Sequence, residues 1–312
     1  MKTPSSAPEL AAVSDEVCAI ATALPKNLRF GTMTWTYPGW IGPLYATGTS
    51  PKQLVSQALP AYARHPLFRA VEFERTFHAR MSAADFATFA AQVPDDFRFS
   101  AKAHQDCTLP VLPRRGPNKR FLDASYAADQ VVAPFVEGLG DKAGPLVFQF
   151  RPMTIDAPER FPERLHDFLR KLPRGPRYAV ELRNPELLSD AYGEALVDSG
   201  ALHCYAAWGT MPGVREQLSQ LPEATRSTLV IRWLTRPGDS DDAASDRYDP
   251  FDKLVEPDEA TRAALASVLA EAARDGRETY AIASNKAEGC APLSAIALAK
   301  QVVEISSTRD SA

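Results

Sequence analysis

The segment Tyr178-Ala-Val-Glu-Leu-Arg183 decides the fold, together with a second segment of the same kind, Ala70-Val-Glu-Phe-Glu74. Each is a short apolar run that carries a glutamate, and such runs are typical of strands buried on both faces of a parallel sheet. A buried carboxylate needs an ion pair, a hydrogen bond or a place at an open strand end. We therefore predict that Glu72 and Glu181 lie where two buried strands end at a polar site.

Six further segments are strand-like, and helix-like segments separate them all. The connections are too long for hairpins, which favours parallel strands with helices outside. Eight such units predict a single (β/α)8 TIM-type barrel. An open doubly wound sheet is the alternative, but it usually has a glycine-rich phosphate turn after its first strand, where this chain has the aromatic segment 31–42. The predicted strands are 28–35, 70–76, 97–102, 145–150, 177–182, 201–207, 228–234 and 278–284.

Composition narrows the class of protein. Of 312 residues, 35 are Lys or Arg and 39 are Asp or Glu, a formal charge of −4 that indicates no broad nucleic-acid or membrane surface. The four cysteines form no C-x-x-C pair, which predicts isolated thiols in a reducing compartment. No apolar run is long enough to span a membrane, and no cofactor motif occurs. We expect a cytoplasmic protein without a cofactor, and nothing indicates its oligomeric state.

We predict three regions along the chain. Residues 1–26 form a flexible polar leader with one short helix, 27–305 form the barrel, and 306–312 form a polar tail. Within the barrel, the lid segment, residues 236–257, contains six aspartates among small and polar residues. It follows the seventh strand, so we expect a long mobile loop over the barrel mouth that acts as a lid, with solvated disorder as the alternative.

Polar side chains close seven of the eight predicted strands. In a barrel the carboxyl ends of the strands meet at one mouth, where barrel enzymes keep their chemistry. Strand side chains alternate in direction, so the pairs Glu72/Glu74, Lys102/His104, Gln149/Arg151 and Glu181/Arg183 are each expected to point the same way. The predicted substrate-binding residues at this mouth are Trp35, Tyr37, Glu74, His104, Gln149, Arg183, Arg232 and Asn285.

Three of the strand-end residues are candidates for catalysis. Glu72 and Glu181 suit a general acid and base that flank a substrate bond, or they neutralise neighbouring cations in a structural network. Lys102 suits a binding cation or a Schiff-base nucleophile. A metal site built from the glutamates and His104 is the alternative, but nearby cations would compete for those carboxylates, and we predict no metal.

Five segments resemble the serial motifs of the YecE-like family, the domain of unknown function 72, in order over about residues 28–303. The resemblance implies a TIM-type barrel and no settled activity. The chain departs from the family pattern at Glu74 and His78, where asparagine and tyrosine are usual, and at Trp233, where the family has Leu-His-Gly after the arginine. The segments that carry the resemblance are 31–45, 71–78, 97–103, 144–152 and 179–185.

The sequence favours a metal-independent hydrolase or lyase that acts on a small polar, sugar-like or anionic substrate. A nucleic-acid binding or processing protein, by analogy with barrel nucleases, is the first alternative. A non-catalytic ligand-binding barrel is the second.

Overall fold

A computed structural model describes residues 7–154 and 157–310, the side chains of residues 309 and 310 excepted. Eight parallel strands close into a barrel, and the predicted (β/α)8 fold is confirmed. In order around the barrel they are β1 (Leu28–Thr32), β2 (Phe68–Phe73), β3 (Arg98–Lys102), β6 (Ala143–Phe150), β7 (Tyr178–Leu182), β8 (Leu202–Gly209), β9 (Leu229–Pro237) and β10 (Thr279–Ala283). A separate two-stranded hairpin, β4 (Val111–Leu112) and β5 (Gly116–Pro117), follows β3.

Helices surround the strands. Their apolar faces cover the barrel, as in the eighth helix, where Phe161, Leu165, Phe168 and Leu169 are all buried. Ser50 and Ser82 begin two of the helices with reciprocal capping boxes. In chain order the helices are α1 (Asp15–Ala23), α2 (Pro51–Gln57), α3 (Leu59–Tyr62), α4 (Ala83–Ala90), α5 (Gln105–Thr108), α6 (Ala124–Ala127), α7 (Ala133–Leu139), α8 (Phe161–Arg170), α9 (Asp190–Ser199), α10 (Val214–Gln220), α11 (Asp241–Tyr248), α12 (Glu259–Arg274) and α13 (Ala291–Asp310).

Close backbone approach explains one glycine of the barrel. A Cβ on Gly31 would collide with the carbonyl oxygen of Ala70 on the neighbouring strand. The register between β1 and β2 shifts at this residue. Glycine therefore lets the first two strands close the barrel here.

The regions outside the barrel strands differ in part from the sequence prediction. Helix α1 lies in the predicted leader and packs against α13, and Leu10 forms a β-bridge with Tyr45. Helix α13 continues to Asp310, through most of the predicted tail. Residues 1–6 of the leader and 311–312 of the tail lie outside the described residues, so the flexibility of the leader stays a prediction.

The lid segment does lie at the barrel mouth, but it was wrong to expect a loop without secondary structure. Ser240 caps helix α11, and Ala244 and Tyr248 of that helix are buried. After the helix, the backbone at Pro250 packs so closely on Gly39 of the first loop that no Cβ would fit there. Local capping and burial thus organise a segment whose composition suggested solvated loop.

No helix in the described part of the chain combines the length and the apolar character needed to cross a membrane.

Candidate functional site

An arginine joins the two glutamates of the opening segments inside the barrel. Arg232 Nη2 donates to Glu72 Oε1 at 2.8 Å, and Arg232 Nη1 donates to Glu181 Oε2. The side chains of all three residues are completely buried. A buried ion needs both a counter-charge and hydrogen bonds, and one arginine supplies both to two carboxylates.

Glu181 has two further partners. Its Oε1 accepts hydrogen bonds from Gln149 Nε2 at 2.7 Å and from Arg183 Nε at 2.9 Å. Gln149 and Glu181 are register partners on β6 and β7, so the sheet itself places the amide beside the carboxylate. We call Glu72, Arg232, Glu181 and Gln149 the floor network, since they lie beneath the barrel mouth.

The two glutamates of the floor network differ in pKa. Burial raises the pKa of Glu72, and the opposing attraction of Arg232 and Lys102 does not fully offset it. Burial also acts on Glu181, but Arg232, Arg183 and the Gln149 hydrogen bond hold its pKa well below the ordinary value. Glu72 Oε2 has no hydrogen-bond partner among the described residues, whereas both oxygens of Glu181 are bonded. The unequal number of partners accounts for the difference.

A second ion pair lies above the floor network. Lys102 Nζ, at the end of β3, is 3.2 Å from Glu74 Oε1. Lys102 is almost buried, with 8% of its side chain exposed, whereas Glu74 keeps 53% exposed. Burial and the neighbouring Arg232 lower the pKa of Lys102, and although burial opposes it, the attraction of Lys102 lowers the pKa of Glu74.

A third group of charges joins the barrel to the lid segment. Asp241, in the first turn of α11, accepts from Arg183 Nη1 at 3.1 Å, and its other oxygen is 3.6 Å from Lys286 Nζ. Arg183 also stacks on the Trp208 ring, with 4.7 Å from its guanidinium carbon to the ring centroid. Ion pairs therefore run without a break from Glu72 through Arg232, Glu181 and Arg183 to Asp241 on the lid.

These groups surround a cavity of about 240 Å³ at the carboxyl ends of the strands, which we call the mouth pocket. Trp40 forms part of its wall and donates through Nε1 to Asn285 Oδ1 at 3.0 Å, so the indole orients that amide. Arg151 has no carboxylate within 4 Å among the described residues and packs against the Phe77 ring. The charged lining residues are Glu74, Lys102, Arg151, Arg183, Asp241 and Lys286.

The structure brings most of the predicted site residues together at this pocket. Six of them line it, namely Tyr37, Glu74, Lys102, Gln149, Arg183 and Asn285. Glu72, Glu181 and Arg232 lie directly beneath in the floor network and are not part of the lining.

Two predicted binding residues do not reach the pocket. Trp35 packs edge-on against Phe73 and Phe89. His104 caps helix α5, and Tyr126 OH lies 3.1 Å from its Nδ1. The first strand was predicted too long, since β1 ends at Thr32, and His104 lies two residues past the end of β3 at Lys102, as predicted. Strand alternation therefore sets the direction of neither residue 35 nor residue 104.

Sequence reasoning missed two charged residues of the pocket. Lys286 directly follows the predicted Asn285 after the last strand, and that position was its only signal. Asp241 is one of six aspartates in the lid segment, and nothing in their composition distinguishes it from Asp242, which is exposed.

A larger groove, of about 1020 Å³, lies at the opposite end of the barrel. It is lined by surface residues such as Asp95, Arg174 and Arg177, and the buried charges lie at the other end. We place the candidate site at the mouth pocket, because buried ionised groups are costly and barrel chemistry occurs at the carboxyl ends of strands.

No group of three or more His, Cys, Asp or Glu side chains within residues 7–154 and 157–310 is arranged to hold a metal ion. Glu72, Glu181 and His104 belong to the metal site that was the alternative in the sequence analysis. In the structure both glutamates are bound to Arg232, and His104 lies outside the pocket. The expectation of no metal stays a prediction.

Comparison with known proteins gives a family and a fold. Residues 29–311 match the model of a family described as "Protein of unknown function DUF72". A DUF72 family protein from Thermotoga maritima, TM1631, is 20% identical, with a TM-score of 0.61 over 88% of this chain and 98% of that chain. A second, EF0366 from Enterococcus faecalis, is 14% identical, with a TM-score of 0.55 over 89% and 96% of the two chains. No curated protein matches.

Proposed function

Because this chain belongs to the DUF72 family, whose description assigns no activity, we propose its function from the site: an enzyme of the hydrolase or lyase type that works through its own side chains. Its substrate is small, polar and anionic or sugar-like, and it binds in the mouth pocket. The observation that carries the proposal is the ion pair of Glu74 and Lys102 on the pocket wall.

The charges of the pocket support the substrate class. Four cations and two carboxylates line it, an excess of two positive charges. Arginine presents a planar set of donors that matches carboxylate or phosphate oxygens. Tyr37, Trp40 and Asn285 add aromatic surface and an amide, which suit a polyhydroxylated body.

The pair of Glu74 and Lys102 supports acid–base chemistry. The lowered pKa of Glu74 keeps it ionised as a base, and the lowered pKa of Lys102 makes its ammonium a better acid than an ordinary lysine. In this proposal Glu74 takes a proton from water or substrate, and Lys102 donates one to the leaving oxygen.

The floor network takes a positioning role in this proposal. Glu72 and Glu181 were predicted as catalytic residues, and that assignment stays a prediction. Their complete burial and their shared bonds to Arg232 support a role in holding the charge and direction of Lys102 and Arg183.

If the reaction is of the lyase type, Lys102 acts as a nucleophile that forms an imine with the substrate. Its position on the pocket wall and its lowered pKa support this role. A neutral Lys102 amine would attack a substrate carbonyl, form the C–N bond of an imine and release the carbonyl oxygen as water. Borohydride reduction in the presence of substrate, followed by peptide mass spectrometry, would find the substrate mass on Lys102. If Lys102 stays unlabelled while the substrate is turned over, the imine mechanism is excluded and the hydrolase reaction remains.

Turnover of a substrate panel tests the proposed function. The panel contains sugar phosphates, sugar acids and nitrophenyl glycosides, and substrate loss is followed by NMR. We expect Glu74→Gln to lower kcat by about 100-fold or more, a typical effect of removing a general base. Glu271→Gln is the matched control, because Glu271 is 43% exposed and paired to Arg215 at 2.9 Å but does not line the pocket.

Other outcomes of that experiment point elsewhere. Ligand binding in the pocket without turnover of any panel member would indicate the non-catalytic ligand-binding barrel. Full activity in Glu74→Gln would remove the acid–base assignment.

A small ligand, and not nucleic acid, is the partner in this proposal. The net charge of −4 and a cavity of about 240 Å³ support it. Salt-sensitive binding of a DNA or RNA oligonucleotide, measured by fluorescence anisotropy, would overturn it. The four free cysteines support a cytoplasmic location, as part of the same proposal.

A further inference from the structure

One carboxylate at the rim of the mouth pocket is paired to two cations, and a third cation lines the same cavity. Asp241 is bonded to Arg183 and lies near Lys286, as described above. Burial raises the pKa of Asp241, but Arg183, Lys286 and Arg151 together hold it below its ordinary value. Arg151 lines the same cavity as Asp241 but lies more than 4 Å from its carboxylate oxygens.

The Asp241 carboxylate neither caps helix α11 nor is required to orient Arg183. The cap of α11 is Ser240, whose side chain accepts from the Ala243 amide. Arg183 keeps its direction through Glu181 and the Trp208 ring. Asp241 is also one-third exposed, and exposed ion pairs contribute little to stability. Another anion can displace this carboxylate at small cost.

The charge balance indicates the kind of anion. Five cations line or underlie the mouth, and three glutamates offset three of them when Asp241 is left aside. Two positive charges remain, which match the charge of a phosphate group near neutral pH. The cations are Lys102, Arg151, Arg183, Arg232 and Lys286, and the glutamates are Glu72, Glu74 and Glu181.

We propose that Arg151, Arg183 and Lys286 form the docking site of a phosphate group, or of a comparable dianion, that the Asp241 carboxylate fills in this structure. The ligand group replaces Asp241 on Arg183 and Lys286 and also binds Arg151. Displacement also removes the two ion pairs by which Asp241 joins α11 to Arg183 and Lys286. This inference rests on the proposed function for its location and names the substrate class as phosphorylated.

Calorimetric titration with inorganic phosphate tests the docking site. Asp241→Asn removes the competing charge, and we expect it to lower the Kd for phosphate about threefold to fivefold, since an exposed pair contributes up to about 1 kcal/mol. Asp242→Asn is the matched control, because Asp242 carries the same charge in the same helical turn but is exposed and does not line the pocket. Its Kd is expected to stay within about twofold of the parent.

Removal of the cations should weaken phosphate binding, the opposite of the effect expected for Asp241→Asn. We expect Arg151→Gln and Lys286→Gln each to raise the Kd for phosphate at least about fivefold, and the double variant to abolish binding. Neither residue belongs to the floor network, and thermal melting will show that both variants fold.

Several results would overturn the docking site. They are the absence of phosphate binding, an equal Kd in Asp241→Asn and Asp242→Asn, and unchanged binding in the double variant. Acetate binding as tightly as phosphate would exclude the preference for a dianion. The titration does not depend on turnover. If phosphate binds but no panel substrate is turned over, the proposed reaction is removed and the docking site stands. If a substrate is turned over but phosphate does not bind, only the docking site is removed.

Discussion

Glu72 and Glu74 stand two residues apart, one in β2 and the other directly after its last residue, yet the barrel places them in opposite environments. Glu72 is fully buried and bound to Arg232, and its pKa is raised. Glu74 is half exposed and bound to Lys102, and its pKa is lowered. The difference shows that depth below the mouth, and not residue type or spacing, separates a structural charge from one that can meet a substrate.

The sharpest test of this comparison removes the central arginine of the floor network. Arg232→Met would leave Glu72 and Glu181 buried without their shared counter-charge, which costs about 3 to 5 kcal/mol of unfolding free energy. Urea denaturation measures the loss.

Arg236→Met is the control on the same strand, because Arg236 is 35% exposed and its ion pair with Glu256 is at the surface. We expect it to cost about 1 kcal/mol or less. Equal losses in the two variants would mean that depth does not set the importance of these charges.

The next effect is the pH dependence of stability. The pKa of Glu181 falls from 4.5 to about 2 on folding, so its contribution is fully present above pH 4.5 and is lost as the pH falls toward 2. The amount is on the order of 3 kcal/mol. Glu72 has the opposite sign: its pKa rises on folding, so the folded chain binds more protons there and loses stability as the pH rises above 4.5.

Glutamine substitutions separate the two titrations. Relative to the parent, Glu181→Gln should become more destabilising as the pH rises to 4.5, whereas Glu72→Gln should become less destabilising as the pH rises further. Urea unfolding between pH 3 and 8 would show both slopes. Parallel slopes would contradict the different environments of the two carboxylates.

The smallest expected effect on stability is at Glu74. Its ion pair is half exposed, so Glu74→Gln should cost about 1 kcal/mol or less, although we expect it to remove activity. Thermal unfolding beside the turnover assay checks both. A loss of stability as large as that of Arg232→Met would place Glu74 with the floor network.

Much of the architecture was readable from the sequence because buried parallel strands are continuous apolar runs. All eight barrel strands lie where those runs predicted them, and so does the convergence of Glu74, Lys102, Gln149 and Arg183. Strand ends were less accurate, because the last residues of a run look alike whether they continue a strand or begin a turn. The first strand was predicted three residues too long, which misplaced Trp35, and strand alternation was extended past the correct end of β3, which misplaced His104.

The lid segment shows another limit. Its aspartates and serines are typical of loops, but Ser240 begins a helix, and Tyr248 is buried in a cluster with Ala244, Phe251 and Tyr37. Only contacts between distant segments make Asp241 different from its neighbour Asp242. Those contacts are formed by Arg183 and Lys286, which are 58 and 45 positions away in the chain.

The sequence by itself determined that buried strands end in charged residues and that those strands form a parallel barrel, because local apolar patterns and connection lengths suffice for both conclusions. Only the tertiary structure decided which charges pair and how deep each lies. Arg232 reaches Glu72 across 160 positions of the chain and Glu181 across 51. Barrel closure brings these groups together. Burial then holds Glu72 in its ion pair with Arg232 and leaves Glu74 half exposed at the mouth pocket.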